Sequence, residues 1–393
     1  MYDFLHNQKN KSQKVPNVKA QINMTQKLLI FHRTIAPYRI DFFNELYCAF
    51  DTRICLQYKN LMSQKFNYDE IANRFKFTPT YLSKLLRLKG RIISKGYLKN
   101  IHDFNPDIIM VGEFGPDCII ALLYRKFMRK KYKIISICDD SYNMVAENND
   151  FSLIHKYLRK IITPHIDDLI LVEPKVTKWY QETYDKGFFF PIIKNETTAR
   201  AEYKNVLPLS KTIAEENDLV DKYIFLFVGR LVAIKNINTI LSSFISLNAK
   251  NAVLVIIGDG IERKNLEKIS EKHSDRIIFT GRLEGADLLK WYNVADCFIL
   301  ASYQEPFGAV TNEALLAGCK GLISEKAGSQ CLIDNGKNGY TFNPYDTNEL
   351  TKKMGLMMNI CHHEKDYKSL RPSQMLISYN DCIKRLIQHL KQK

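Results

Sequence analysis

At 393 residues the chain is longer than one ordinary hydrophobic core supports, so two domains are expected. Hydrophobic residues at 46% and charged residues at 25% describe a soluble globular protein and exclude a disordered one. A net charge of +15 calls for an anionic partner (nucleic acid, an anionic membrane surface or a phosphorylated substrate), and no window approaches the ~20 apolar residues of a spanning helix.

Residues 1–25 are polar and have no signal-peptide stretch, so a flexible arm is expected, with folding beginning near Lys27. Lys27–His32 reads as a buried strand, followed by a loop with Pro37 and a helix over Arg39–Phe50. Strands are then expected at Arg53–Tyr58, Asp107–Val111, Lys133–Ile137 and Asp168–Val172, with helices at Pro116–Lys130 and Pro174–Thr183. This alternation implies βαβ units and a mostly parallel sheet. Ile193–Asp218 is polar and reads as an irregular connection.

A second alternation follows. Strands are expected at Tyr223–Val228, Val253–Ile257, Arg276–Phe279, Asp296–Leu300 and Gly321–Ile323. Helices are expected at Asn236–Leu247, Ile261–Lys272, Gly285–Val294 and Thr311–Ala317, and an amphipathic one over Ser373–Lys393. Two doubly wound α/β domains in tandem place ligands at the carboxyl ends of their strands, in a cleft if those edges face each other. Nine cysteines stand singly with no metal-ligand spacing, which fits reduced thiols in a cytosolic protein. Positive charge gathers at Lys84, Arg87, Lys89, Arg91, Lys95 and Lys99, and again at Arg125, Lys126, Arg129, Lys130, Lys131 and Lys133. A solvated face with no partner is the competing reading of either cluster.

The chemistry concentrates in the second half. Gly229-Arg230-Leu231 ends a strand, and Lys235 follows five residues after Arg230. An Arg fork and a Lys point charge suit a diphosphate, although basic pairs at such turns are often merely solvated. Gly258-Asp259-Gly260 ends the next strand and reads as a ligand contact or as a plain tight turn. The most informative run is Ala301–Gly318, where Glu305-Pro306-Phe307-Gly308 leads into a helix and Glu313 follows Glu305 by eight residues. Free N–H groups at that helix start make an anion site. Glu313 is placed for ribose hydroxyls and Glu305 for sugar hydroxyls, with a pair of surface carboxylates as the alternative.

These segments, with Phe279-Thr280-Gly281 and Asp334-Asn335-Gly336-Lys337-Asn338-Gly339-Tyr340, resemble glycosyltransferase family four. That group of retaining enzymes has the GT-B fold, two Rossmann-like doubly wound domains facing a central cleft. The resemblance implies an acceptor domain over 26–195, a nucleotide-sugar donor domain over 205–370, and a helix over 373–393 packing back on the first. It implies that Arg230 and Lys235 hold the donor diphosphate and that Glu313 binds the ribose. Glu305 and the backbone of Phe307, Gly308 and Ala309 would contact the sugar, with Gly258, Thr280 and Leu283 lining the donor and its base. Pro37-Tyr38-Arg39 resembles the family's phosphate- and acceptor-facing loop.

Two departures stand out. Cys138-Asp139-Asp140-Ser141 replaces a familiar histidine, and Cys331 stands where relatives carry a carboxylate. Asp139 is the candidate acid or base there, a structural role for Asp139 and Asp140 being the alternative. The expected activity is transfer from a nucleotide-diphosphate sugar to a glycan or lipid-linked acceptor, without cofactor or obligatory metal. Competing classes are a GT-B sugar-nucleotide epimerase and a non-enzymatic anionic-ligand-binding protein; nucleic acid is not expected, since it would not require Glu305 and Glu313. The basic stretch Tyr81–Leu98, with Leu82, Leu85, Leu86, Ile92 and Ile93, is expected to meet either anionic lipid headgroups at the inner face of the cytoplasmic membrane or the diphosphate of a lipid-linked acceptor.

Overall fold

The computed structural model describes residues 26–59, 68–88, 91–147, 152–360 and 367–392. In the first half the strands are β1 Lys27–His32, β2 Asp51–Leu56, β3 Thr80–Tyr81, β4 Ser83–Leu88, β5 Arg91–Lys95, β6 Ile108–Gly112, β7 Lys133–Cys138, β8 Asp168–Leu171 and β9 Phe188–Phe189. Its helices are α1 Ile40–Ala49, α2 Tyr68–Asn73, α3 Tyr97–Phe104, α4 Pro116–Phe127, α5 Tyr142–Val145, α6 Leu153–Ile162 and α7 Pro174–Tyr184. In the second half come β10 Tyr223–Val228, β11 Ala252–Ile257, β12 Ile277–Gly281, β13 Cys297–Leu300, β14 Lys320–Ser324 and β15 Gly339–Phe342. The helices there are α8 Glu196–Asn205, α9 Leu207–Glu216, α10 Ile237–Leu247, α11 Arg263–Ser270, α12 Gly285–Val294, α13 Ala309–Leu316, α14 Thr347–Ile360 and α15 Tyr379–Lys391.

Two parallel sheets result, with strand orders β3-β2-β1-β6-β7-β8-β9 and β12-β11-β10-β13-β14-β15. The order reverses beside β1 in one and beside β10 in the other, the doubly wound arrangement. Strands covered on both faces need unbroken apolar runs, and β10 (YIFLFV) is buried at all six positions. Helix starts are set locally. Proline stands in the first turn of α4 and α7, where the missing N–H costs nothing, and the Asn195 side chain accepts from the N–H groups of Thr197 and Thr198 at the start of α8.

Two expectations are corrected, and one stretch gains a structure that was not foreseen. Ile193–Asp218 is not irregular: it holds α8 and α9, which pack on α12, so residues 196–216 join the carboxyl-terminal domain. Only Ala199, Tyr203, Leu207, Ser210 and Ala214 are buried across the two helices, too sparse a pattern to show through a polar sequence. The tail helix starts at Tyr379, where the Ser378 side chain accepts from the Asp381 N–H, and not at Ser373. The stretch 81–98 is an antiparallel hairpin of β4 and β5 leading into α3. Lys89 there lies outside the described residues, as do the side chains of Leu86, Arg87, Arg91, Ile92 and Ile93.

Each sheet is covered on both faces. One face of the first sheet packs against α1 and α15, through Phe42, Phe43 and Leu46 on the former and Tyr379, Cys382, Ile383, Leu386 and Leu390 on the latter. Phe307, Leu315 and Leu332 of the second domain join the same cluster. Replacing Leu386, which is fully buried, by Ala should cost about 2–5 kcal/mol. The urea midpoint of Leu386→Ala measures this; an unchanged midpoint would show that α15 is not part of the cooperative core.

Candidate active site

The carboxyl ends of the two sheets face each other across a crevice. Ser141, after β7, accepts at its Oγ from Gln304 Nε2, after β13, at 3.1 Å. Lys175 Nζ donates to Gln330 Oε1 at 3.1 Å, and Lys326 Nζ lies 2.8 Å from Glu147 Oε1. A cavity of about 140 Å³ lies between these contacts, lined by Tyr142, Asn143, Glu173 and Lys175 on one wall and Glu325 and Lys326 on the other.

On the carboxyl-terminal wall, glycines let backbones meet. Gly258 has φ +146°, and a Cβ on it would stand 1.8 Å from the Gly229 carbonyl oxygen. Gly258 therefore sets the position of the Gly229–Leu231 turn, a packing role apart from any contact with a ligand. Arg230 projects from that turn, exposed and with no ion-pair partner among the described residues. Lys235 closes a short 3-10 turn over Ala233–Lys235 and forms an ion pair with Glu305. The Glu305 backbone is clamped on both sides: its N–H donates to the Lys326 carbonyl, and its carbonyl accepts from the Gly328 N–H.

The Phe307 ring is buried, which leaves only its backbone for a ligand. Gly308, at φ +93°, starts α13 without any side-chain cap, so Ala309 and the residues after it open the helix with N–H groups available to an anion. Glu313 is held from two sides, by Lys194 Nζ at 2.8 Å and by the Tyr292 hydroxyl at 3.0 Å. Lys194 belongs to the crossover between the domains, a role that a polar, aperiodic stretch does not announce. Thr280 and Leu283 lie at the end of edge strand β12, which pairs with β11 and not with β10. The Thr280 hydroxyl donates to the Gly281 carbonyl, and Leu283 packs on the core under α12.

On the amino-terminal wall, Pro37–Arg39 form a 3-10 turn after β1. Arg39 is buried and paired with half-exposed Asp139, whereas Asp140 is enclosed, accepting from the Tyr180 hydroxyl at 2.6 Å and Arg159 at 3.3 Å. The two neighbours thus divide: Asp140 anchors the loop and Asp139 faces the crevice. Burial raises the Tyr38 phenol above its ordinary value; Arg39 opposes that, and the charges of Asp139, Glu305 and Glu313 add to it. Tyr38 therefore lies within the field of carboxylates from both domains.

Sequence reasoning missed three further groups on this wall. Burial and the nearby Arg39 push His32 down to about 4, so its ring is neutral at neutral pH, with Nδ1 2.6 Å from the Thr34 carbonyl. Glu113 follows β6 at φ +52°, facing Arg33 at 3.6 Å, and burial raises its carboxyl despite that cation. Glu173 follows β8; burial raises it from 4.5 to about 7 against Lys175 and the Tyr142 N–H. The only signal for these residues in the sequence is their place just beyond apolar runs, which many surface residues share.

Glu173 gives a pH test. Between about 4.5 and 7 the unfolded chain releases a proton that the folded chain retains, so stability falls as pH rises through that window. Glu173→Gln should remove this slope and be the more stable form above pH ~7 relative to the parent. Melting temperatures from acidic to mildly alkaline pH decide it; parallel curves would show that Glu173 ionises normally.

Residues 210–369 match the family of group 1 glycosyl transferases. An uncharacterized glycosyltransferase of Methanocaldococcus jannaschii is 36% identical over 130 residues, a match covering 32% of this chain and 33% of that protein. The N-acetylgalactosamine-N,N'-diacetylbacillosaminyl-diphospho-undecaprenol 4-alpha-N-acetylgalactosaminyltransferase of Campylobacter jejuni is 28% identical over 318 residues, covering 79% of this chain and 84% of the relative. Among solved structures, Anabaena HepE in complex with UDP and glucose superposes with a TM-score of 0.70 at 13% identity, over 94% of this chain and all of HepE. That likeness covers both domains and the crevice between them. The chain has the GT-B fold, and its residues 210–369 are similar to the group 1 glycosyl transferases.

Proposed function

We propose that the protein is a retaining glycosyltransferase that moves a sugar from a nucleotide-diphosphate donor to a glycan acceptor carried on a lipid diphosphate, in surface polysaccharide synthesis. One observation carries this reading: Arg230, Lys235, Glu305 and the uncapped start of α13 converge on one wall of the crevice. The named activity of the C. jejuni relative, transfer onto a diphospho-undecaprenol-linked sugar, supports the lipid-linked acceptor and an alpha linkage.

Transfer breaks the bond between the anomeric carbon and the diphosphate oxygen, and the electron pair leaves with that oxygen. Lys235, Arg230 and the N–H groups after Gly308 stabilise the growing charge, which lets cationic side chains do the work of a divalent ion. Lys235 first exchanges its partner, Glu305, for the phosphate, and Glu305 turns to the sugar hydroxyls. The acceptor hydroxyl forms the new bond on the face that the diphosphate vacates, and its proton passes to the departing oxygen. Asp139, held by Arg39, orients the acceptor from the opposite wall. Glu313, already fixed by Lys194 and Tyr292, offers its remaining acceptor capacity to the ribose. The reaction runs at the inner face of the cytoplasmic membrane.

A melting screen with UDP-, GDP- and ADP-sugars tests the donor site. A ligand at ~100 times its dissociation constant adds about 2.7 kcal/mol of stability. Arg230→Ala should abolish the shift while leaving the unliganded melting point in place; Lys235→Ala, which also leaves Glu305 unpaired, should abolish the shift, lower the unliganded melting point and lower turnover by roughly 10²–10³. Normal shifts in both variants would dismiss this site. Conversion of the donor to another sugar nucleotide without acceptor would replace transfer by epimerisation.

A further inference from the structure

Helix α6 is built inside out. A helix on a globular domain ordinarily turns its apolar stripe inward. Here Leu153, Ile154, Tyr157 and Ile161 are exposed at 75%, 64%, 66% and 60%. Their spacing of i, i+1, i+4 and i+8 puts them on one face, the face turned to solvent. The inward face carries Arg159, buried and bonded to Asp140 at 3.3 Å, and His155, 3.6 Å from the same carboxylate. The loop that holds Asp140 thus fixes which way α6 faces, and so keeps its apolar side outward.

The stripe does not stand alone. Helices α3, α4 and α6 contribute Tyr97, Cys118, Ala121 and Ile162 to one core cluster on one face of the first sheet, so their outer sides form one surface. On α4, Leu123 and Phe127 are exposed at 49% and 74%, and Met128 follows at 59%. Every charged side chain on α6 and within residues 125–131 is basic, Arg125 being paired with Asp167. Helix α6 has no acidic residue, and Lys156 and Lys160 border its apolar face; Lys126, Arg129, Lys130 and Lys131 are exposed around Phe127. Apolar groups ringed by cations match a bilayer with anionic headgroups: the side chains enter the acyl boundary and the ammonium and guanidinium groups meet the phosphates. No helix among the described residues is long and apolar enough to cross a membrane, so such a contact would be peripheral.

We propose that the outer face of α6, with the carboxyl end of α4, docks the protein on an anionic phospholipid surface. This goes beyond the donor site and does not depend on it. It also assigns the lipid contact to elements other than the hairpin of β4 and β5. The test is flotation of the full-length protein with vesicles of equimolar phosphatidylcholine and phosphatidylglycerol, against phosphatidylcholine alone. The parent should bind the anionic vesicles and release with salt. The double variants Ile154→Ser with Ile161→Ser, and Lys156→Glu with Lys160→Glu, should each bind roughly tenfold more weakly or worse. Leu209→Ser, an equally ordinary loss of an exposed leucine on α9, should bind as the parent does. All variants should keep the parent's melting temperature, because the altered side chains are solvent-facing. The proposal fails if the parent ignores anionic vesicles or if the Ile154/Ile161 variant floats like the parent. It fails also if the parent is a dimer in light scattering that this variant dissolves without any vesicle binding, which would make the face an interface between copies.

Discussion

Phe307 is the contact on which the arrangement of the active crevice turns. It belongs to the donor domain by sequence, yet its ring lies in the hydrophobic cluster that also contains Leu28, Phe42 and Phe43 of the first domain. Its neighbours Leu315 and Leu332 do the same from α13 and the turn after β14. Apolar area shared in this way ties the two walls at the very loop whose backbone borders the crevice. Pro306 and Gly308 on either side then have little freedom: Gly328 packs so closely that a Cβ would stand 2.1 Å from the Pro306 oxygen. The loop proposed to meet a sugar is therefore placed by packing behind it, which suits the fixed dipoles that charge stabilisation requires.

The polar groups in front of that packing come in opposed pairs: Lys235 with Glu305, Lys194 with Glu313, Arg39 with Asp139. Half-buried ions of this kind are costly unless matched, since desolvation exceeds what an isolated charge recovers. Matching them within the protein keeps the crevice charged but internally balanced. In the proposed reaction a diphosphate would enter by exchange of partners, and Arg230, which has no such internal match among the described residues, would give the arriving anion its first attraction.

Much of this was legible in the residues. β1 and β10 carry continuous apolar runs that only a doubly covered strand requires, and their bounds match the sequence expectation. The stretch from Gly229 to Gly339 gives its motifs away because glycines such as Gly258, Gly328 and Gly339 answer to backbone contacts that leave no room for a Cβ. α8 and α9 were hidden because their stability comes from a few residues docked on α12, not from a periodic stripe. Lys194 and Glu173 were hidden for another reason: a single charged residue beyond a strand has no spacing to reveal its partner. Helix α6 was missed altogether among the expected elements, and its orientation is unusual. Its periodicity is strong, and sequence alone assigns such a stripe to the interior; only the burial of Arg159 shows that the helix is turned around.

The position of α15 has a consequence for how the molecule is made. Residues 379–391 complete the core of a domain whose first strand begins at residue 27, so that domain is discontinuous along the chain, with the whole second domain inserted in it. During synthesis the sheet around β1 must wait, with the surface of Phe42 and Phe43 uncovered, until more than three hundred residues later have left the ribosome. The second domain, whose contacts are contiguous, can form first and serve as the template on which the earlier-made half closes. Closure across such a sequence separation is slow, and it makes the last helix the step that commits both halves to one molecule.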